Sequence, residues 1–150
     1  MFKQKFDAHM KKSQVPTVAI KTIKKGIPDI NEDTVALLLK QLEKFERDKK
    51  FLKKDVTLGT LSNAFGCNSK YLSQIIYHYR EKNFTKYIND LKVDYIVSLL
   101  KTDKMLRNYT NTALAEEAGF SSTQRFTNAF RSNTEMPPTF FIEELKKVPS

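Results

Sequence analysis

Between Thr110 and Ile142 the apolar residues fall in three groups, each at helical spacing. Leu114, Ala115 and Ala118 stand at i, i+1 and i+4, a strip on one helical face. Gly119 follows, where a helix end favours a residue that tolerates positive φ. Phe126, Ala129 and Phe130 give the next helix a buried face at i, i+3 and i+4. Ser121 is the expected N-cap of that helix, with Gln124 three residues on completing a capping box. Pro137 and Pro138 then suit the first turn of a third helix. A short helix, a glycine turn and a longer second helix make a helix-turn-helix layout over 110–134, followed by a closing helix over 138–147.

The same pattern occurs earlier, from Thr57 to Ile88. Leu61 and Leu114 are 53 residues apart, as are Gly66 and Gly119. Beyond the turn the offset becomes 54, pairing Leu72 with Phe126, Ile76 with Phe130, Tyr87 with Phe141 and Ile88 with Ile142. One residue has been added in the second turn. Apolar and turn positions match while exposed ones differ, as expected of two copies of one supersecondary unit with diverged surfaces.

The first unit spans 55–83. Thr57–Phe65 is its first helix, and Asn68 caps a second running from Ser69 to about Lys82. Leu72, Ile75, Ile76 and Tyr79 face inward. Lys70, Ser73 and Gln74, at i, i+3 and i+4, share the opposite surface, with Tyr77 and Arg80 further along. Phe84–Lys101 is a long helix whose Tyr87, Ile88, Leu91, Tyr95, Ile96, Leu99 and Leu100 are numerous enough to serve both units as a rigid spacer. Before the first unit, Asn31–Phe51 reads as a helix capped by Asn31 or Asp33, with Val35, Leu38, Leu39, Leu42 and Phe45 on one face. Residues 1–30 are lysine-rich with little apolar periodicity and read as a basic linker or arm, partly disordered, with Thr17–Ile23 a candidate extended piece. The fold class expected is all-α: two helix-turn-helix (homeodomain-like) subdomains joined by a long linker helix, about seven helices in all.

Charge adds direction to this architecture. Lys and Arg number 26 against 17 Asp and Glu, a net charge of +9, which favours an anionic partner such as nucleic acid. Amide, hydroxyl and lysine side chains at 70, 73 and 74 are suited to read base edges. The single cysteine, Cys67, excludes a disulfide framework within one chain and reads as a small buried hydrophobe. No apolar run reaches the length of a membrane span, and charge interrupts 1–25 throughout, so a cytoplasmic chain is expected. His9 and His78 are the only histidines, and the four glycines form no phosphate loop. Neither an enzyme nor a metal or cofactor site is expected.

These residues resemble the DNA-binding domain of the AraC/XylS family of bacterial transcription regulators. The resemblance runs from Thr57 to about Leu145. It rests on LAEEAGF at 114–120, the F-x-x-x-F of Phe126 and Phe130, and Pro138 with Phe141. The earlier half adds L-S-x-x-F-G, then S-x-x-L at Ser69 and Leu72, then F-x-x-Y-I at Phe84–Ile88. The stretch KTDKMLRNYT and the ending FFIEEL are similar to variants attached to large Bacteroidetes-type sensor proteins.

The resemblance implies binding to double-stranded promoter DNA through two recognition helices in successive major grooves, with RNA polymerase as a further partner and no small-molecule ligand within this chain. It places base reading on Lys70, Ser73 and Gln74 in the first unit and on Thr123, Gln124, Thr127 and Asn128 in the second. Phosphate contacts fall on Arg80, Lys86, Arg125 and Arg131 and on the capped helix starts at Asn68, Ser69 and Ser121. Where the family has a glycine after each recognition helix, this chain has Lys82-Asn83 and Glu135, with Asn83 the residue expected to take the left-handed turn. With no sensor domain in this length, the chain reads as a stand-alone regulator or the C-terminal piece of a larger one. The alternative is a helical protein-interaction module, or an anti-regulator that has lost DNA contact. RNA binding lacks any aromatic-studded sheet signature.

Overall fold

The structure, a computed structural model, describes residues 30–149. The basic arm, including Thr17–Ile23, lies outside the described residues apart from Ile30. The described residues form seven α-helices: α1 (Glu32–Arg47), α2 (Leu58–Phe65), α3 (Ser69–Arg80), α4 (Phe84–Thr102), α5 (Asn111–Glu117), α6 (Thr123–Thr134) and α7 (Pro138–Lys147). Two short 3-10 turns, Lys50–Leu52 and Lys104–Asn108, complete them. There is no strand among the described residues.

Two compact units divide between Leu91 and Lys92, inside α4. The first unit thus closes with the beginning of the long helix, and the second opens with its remainder. Val93 and Val97, which did not stand out in the apolar pattern, are buried in the second unit, whereas Leu91, Tyr95 and Leu99 are only partly covered.

In the first unit, Asn31 accepts a hydrogen bond from the Asp33 amide and caps α1, and Val35, Leu38, Leu42 and Phe45 are buried. The helix stops at Arg47, short of the expected Phe51. Lys49 takes a left-handed conformation (φ 55°), and the chain re-enters as a 3-10 turn that buries Phe51. The reason is geometric. Six residues after Phe45, a continued helix would aim residue 51 away from the face of residue 45. The break lets the two rings meet edge to face at 6.2 Å. Phe65 of α2 approaches Phe45 from another side at 6.4 Å.

The second unit buries one continuous cluster that includes Val93, Ile96 and Leu100 of α4, Leu114, Phe126, Phe130 and Phe141. Its rings form a ladder: Phe120 to Phe126 at 5.6 Å, Phe126 to Phe130 at 5.7 Å and Phe130 to Phe141 at 5.6 Å. The matching residues of the first unit are Cys67, Leu72, Ile76 and Tyr87. The positions persist, while three of the four gain an aromatic ring in the second unit: Cys67, Leu72 and Ile76 are matched by phenylalanines. Cys67 departs from expectation in being only partly buried, and that burial pushes its thiol above the ordinary pKa.

Candidate nucleic-acid interface

Each unit presents its second helix through a turn built from the same bonds. Thr57 accepts from the Thr60 amide and Thr110 from the Ala113 amide, capping α2 and α5. Gly66 (φ 72°) and Gly119 (φ 79°) end those helices in left-handed geometry. The next amides, of Cys67 and Phe120, reach back to the carbonyls of Ser62 and Ala115 at 3.0 and 2.9 Å. This pairing satisfies helix-end carbonyls and sharply redirects the chain.

Asn68 then caps α3, accepting from the Tyr71 amide at 2.7 Å. In α6 the cap is Ser122, which accepts from Arg125 at 3.1 Å, and not the expected Ser121. Ser122 lies 54 residues after Asn68, so Ser121 is the added residue of the second turn, and the Ser121–Gln124 capping box does not form. At the far ends, Glu81 (φ 60°) and Glu135 (φ 64°) take the left-handed positions, again 54 apart. Asn83 is not the left-handed residue. Its side chain accepts from the Lys86 amide and caps the start of α4.

Of the base-reading candidates, Lys70, Gln124 and Asn128 are exposed, and Ser73, Gln74, Thr123 and Thr127 are partly covered. The Thr123 hydroxyl donates to Thr112 Oγ1 at 3.0 Å, tying α6 to α5. The Thr127 hydroxyl donates to the Gln124 carbonyl at 3.1 Å. The Gln74 amide oxygen is enclosed without a hydrogen-bond partner. Its side chain must therefore rotate to offer both edges of the amide. Sequence reasoning left Tyr77 out of the site. It lies three residues beyond Gln74 on the same face, is 70% exposed, and matches Arg131 of the second unit at the 54-residue offset. The offset was the signal that could have included it.

The phosphate candidates divide. Arg125 and Arg131 are exposed. Arg80 is committed elsewhere: its Nε and Nη2 donate to the two Glu46 oxygens at 2.8 and 3.1 Å, and Nη1 donates to the Tyr79 carbonyl. Burial alone would lower its pKa, but the hydrogen bond and charge of Glu46 raise it above the ordinary value. Tyr87 also donates its hydroxyl to Glu46 Oε2, and burial followed by the Glu46 charge drives its pKa up. This cluster joins α1, α3 and α4 and gives Arg80 a structural duty. Lys86 and Lys82 both pair with Asp90, at 3.2 and 2.8 Å. Burial raises the Asp90 pKa, yet the two lysines outweigh it and hold the carboxyl below its usual range. Ser69 shares a 3.0 Å hydroxyl bond with Ser62, whereas Ser121 and Asn68 are exposed at the helix starts.

One buried cation was not foreseen. Lys92 is 5% exposed, donates to the Gly119 carbonyl and lies 5.3 Å from the Phe120 ring centroid. It braces the second turn from α4, combining a charge-assisted hydrogen bond with a cation–π contact.

Two tandem units with corresponding caps and glycine turns, each exposing polar residues of its second helix, define a paired helix-turn-helix protein. A family profile described as a helix-turn-helix domain matches residues 61–144, more than half of the chain. The chain belongs to that family, the AraC/XylS type, and is a DNA-binding transcription regulator. Solved structures share the fold. The C-terminal domain of AraT, a response regulator from Geobacillus stearothermophilus, is 18% identical with a TM-score of 0.62, covering 76% of this chain and 88% of that one. The C-terminal domain of the two-component response regulator yesN from Fusobacterium nucleatum is 22% identical with a TM-score of 0.59, covering 69% and 97%. A transcriptional regulator with an AraC-type DNA-binding domain from Chromobacterium violaceum is 15% identical with a TM-score of 0.60, covering 79% and 100%. No curated protein sequence matches the chain.

Proposed function

We propose that this chain recognises a specific promoter sequence by inserting α3 and α6 into successive major grooves, about one helical turn or roughly 34 Å apart. The observation that carries the reading is the duplication itself: the same caps, glycine turns and left-handed exits recur, and in both copies the outward face is polar. Lys70 is suited to guanine, and Gln74, Gln124 and Asn128 to adenine, because their donors and acceptors match those base edges. Ser73, Thr123 and Thr127 supply hydroxyl and methyl contacts alongside them. Tyr77 extends the first face. Arg125, Arg131 and the amides at the capped starts of α3 and α6 fit phosphates. Most of the affinity then comes from counterion release, and the specificity from the two helices. RNA polymerase is the partner such a bound regulator would act upon.

The test is selection of binding sites from random duplex DNA, followed by variants. Gln74→Ala and Gln124→Ala should each cost about 1–3 kcal/mol on the selected site and relax preference at one base position. Equal loss on all sequences would remove the base-reading assignment. Selection yielding no preferred sequence would remove the function and favour the protein-interaction module.

A further inference from the structure

Away from the recognition helices, the second unit has a basic cleft that the DNA reading does not use. It encloses about 430 Å³ between the 3-10 turn after α4 and the end of α7, lined by Lys104, Arg107, Lys146, Lys147, Val148 and Pro149. No residue of α6 lines it. Arg107 is fixed there: Nε donates to the Leu100 carbonyl at 2.8 Å and Nη2 to the Lys101 carbonyl at 3.1 Å, so its charge caps the end of α4. Lys147 pairs with Glu144 at 2.8 Å, and Lys146 pairs more loosely with Glu143 at 3.7 Å. Lys104 has no ion-pair partner among the described residues. Four cations therefore face two carboxylates, and the cleft keeps a positive excess.

Apolar side chains accompany these charges. Val148 and Pro149 line the cleft, Val148 is 46% exposed, and Met105, next in sequence to the lining Lys104, is 76% exposed. A nucleic-acid backbone matches the charge but gains nothing from these apolar side chains. A protein segment carrying both carboxylates and apolar residues matches both. Methionine suits such a role, because its flexible, polarisable side chain adapts to a partner's shape. Methionine and arginine are also enriched where proteins meet. We infer that this cleft is a docking surface for an acidic, apolar-bearing segment of a partner protein, separate from the face that α6 presents. The inference stands on the second unit alone and does not require the base assignments above.

The experiment is a chemical-shift titration of the ¹⁵N-labelled chain with two short synthetic peptides. One has Asp and Glu interspersed with Leu and Phe, and the other has the same acidic residues with serine in place of Leu and Phe. The apolar peptide should shift the amides of Lys104, Met105, Lys147 and Val148 first. The serine peptide should bind about ten-fold more weakly, a difference of about 1.4 kcal/mol. Lys104→Gln with Lys147→Gln should weaken the apolar peptide by a similar factor, and Met105→Ser should weaken it by a factor that salt does not change. Duplex affinity should be the same within about two-fold in all variants, because the altered groups lie outside the reading helices. Equal binding of the two peptides, or shifts centred on α3 or α6, would overturn the inference. So would lysine variants that lose duplex binding yet keep the peptide, which would make the cleft a phosphate surface. Loss of sequence-specific DNA binding by the unaltered chain would leave this result standing and count only against the base-reading proposal.

Discussion

Arg80 closes α3 and Arg131 stands about one turn before the end of α6, and the fold uses the two differently. Arg80 spends its donors on Glu46 and the Tyr79 carbonyl, whereas Arg131 is exposed. Replacing Arg80 with Met should destabilise the chain by about 2 kcal/mol, because it strips a partly buried carboxylate of its charge-assisted bonds. Urea titration measures this. The salt dependence of DNA binding should stay as it was. Replacing Arg131 or Arg125 with Ala should do the reverse: stability nearly unchanged, and a slope of log affinity against log salt reduced by about 1. An Arg80 variant with a reduced slope would return that residue to the phosphate set. Asp90 provides a pH-dependent counterpart. Its pKa is depressed in the folded chain, so its contribution is present above the unfolded carboxylate value and is lost as pH falls through the folded one. Asp90→Asn should therefore lower stability at neutral pH and flatten its fall below about pH 4. An unchanged acid limb in chemical denaturation at a series of pH values would refute this.

Among the elements, the recognition helix of the second unit depends on one hydroxyl. Ser122→Ala should cost about 1 kcal/mol, since it leaves the Arg125 amide without its cap, while Ser121→Ala should cost close to nothing. Thermal unfolding of the two variants distinguishes them, and equal losses would contradict the cap assignment. The same pair shows what could be read from the sequence and what could not. Every helix was visible in apolar spacing, and the repeat fixed the two glycine turns. Applied one step further, its offset of 54 leads from Asn68 forward to Ser122 and from Glu135 back to Glu81, where local rules chose Ser121 and Asn83. The stop of α1 at Arg47 was partly legible, because the apolar series ends at Phe45 and Lys49 stands where its next member would fall. Pairings across the fold were not legible. Glu46 meets Arg80 across 34 positions, and Lys92 meets Gly119 across 27, and no periodicity encodes either. Such contacts decide which of several similar cations remain available at the surface. For that reason the helices of the candidate interface were legible in the sequence, and the partners of their individual side chains were not.

For the whole molecule, the net charge of +9 and the duplicated unit bear on one question: whether one chain reads two adjoining stretches of a duplex. Charge supplies attraction without sequence information, and in the proposed reading the two differently decorated helices supply two different base preferences. Lys70 and Tyr77 on α3 have no counterpart among Thr123, Gln124, Thr127 and Asn128 on α6, although both helices carry amides and hydroxyls, so the proposed site is asymmetric. The direct measurement is the base-preference profile obtained by selection for the unaltered chain, for Lys70→Ala with Gln74→Ala, and for Gln124→Ala with Asn128→Ala. The unaltered chain should show two blocks of preference about 10 base pairs apart. Each double variant should flatten one block and leave the other intact. A single block, or two variants that relax the same bases, would contradict reading by two helices.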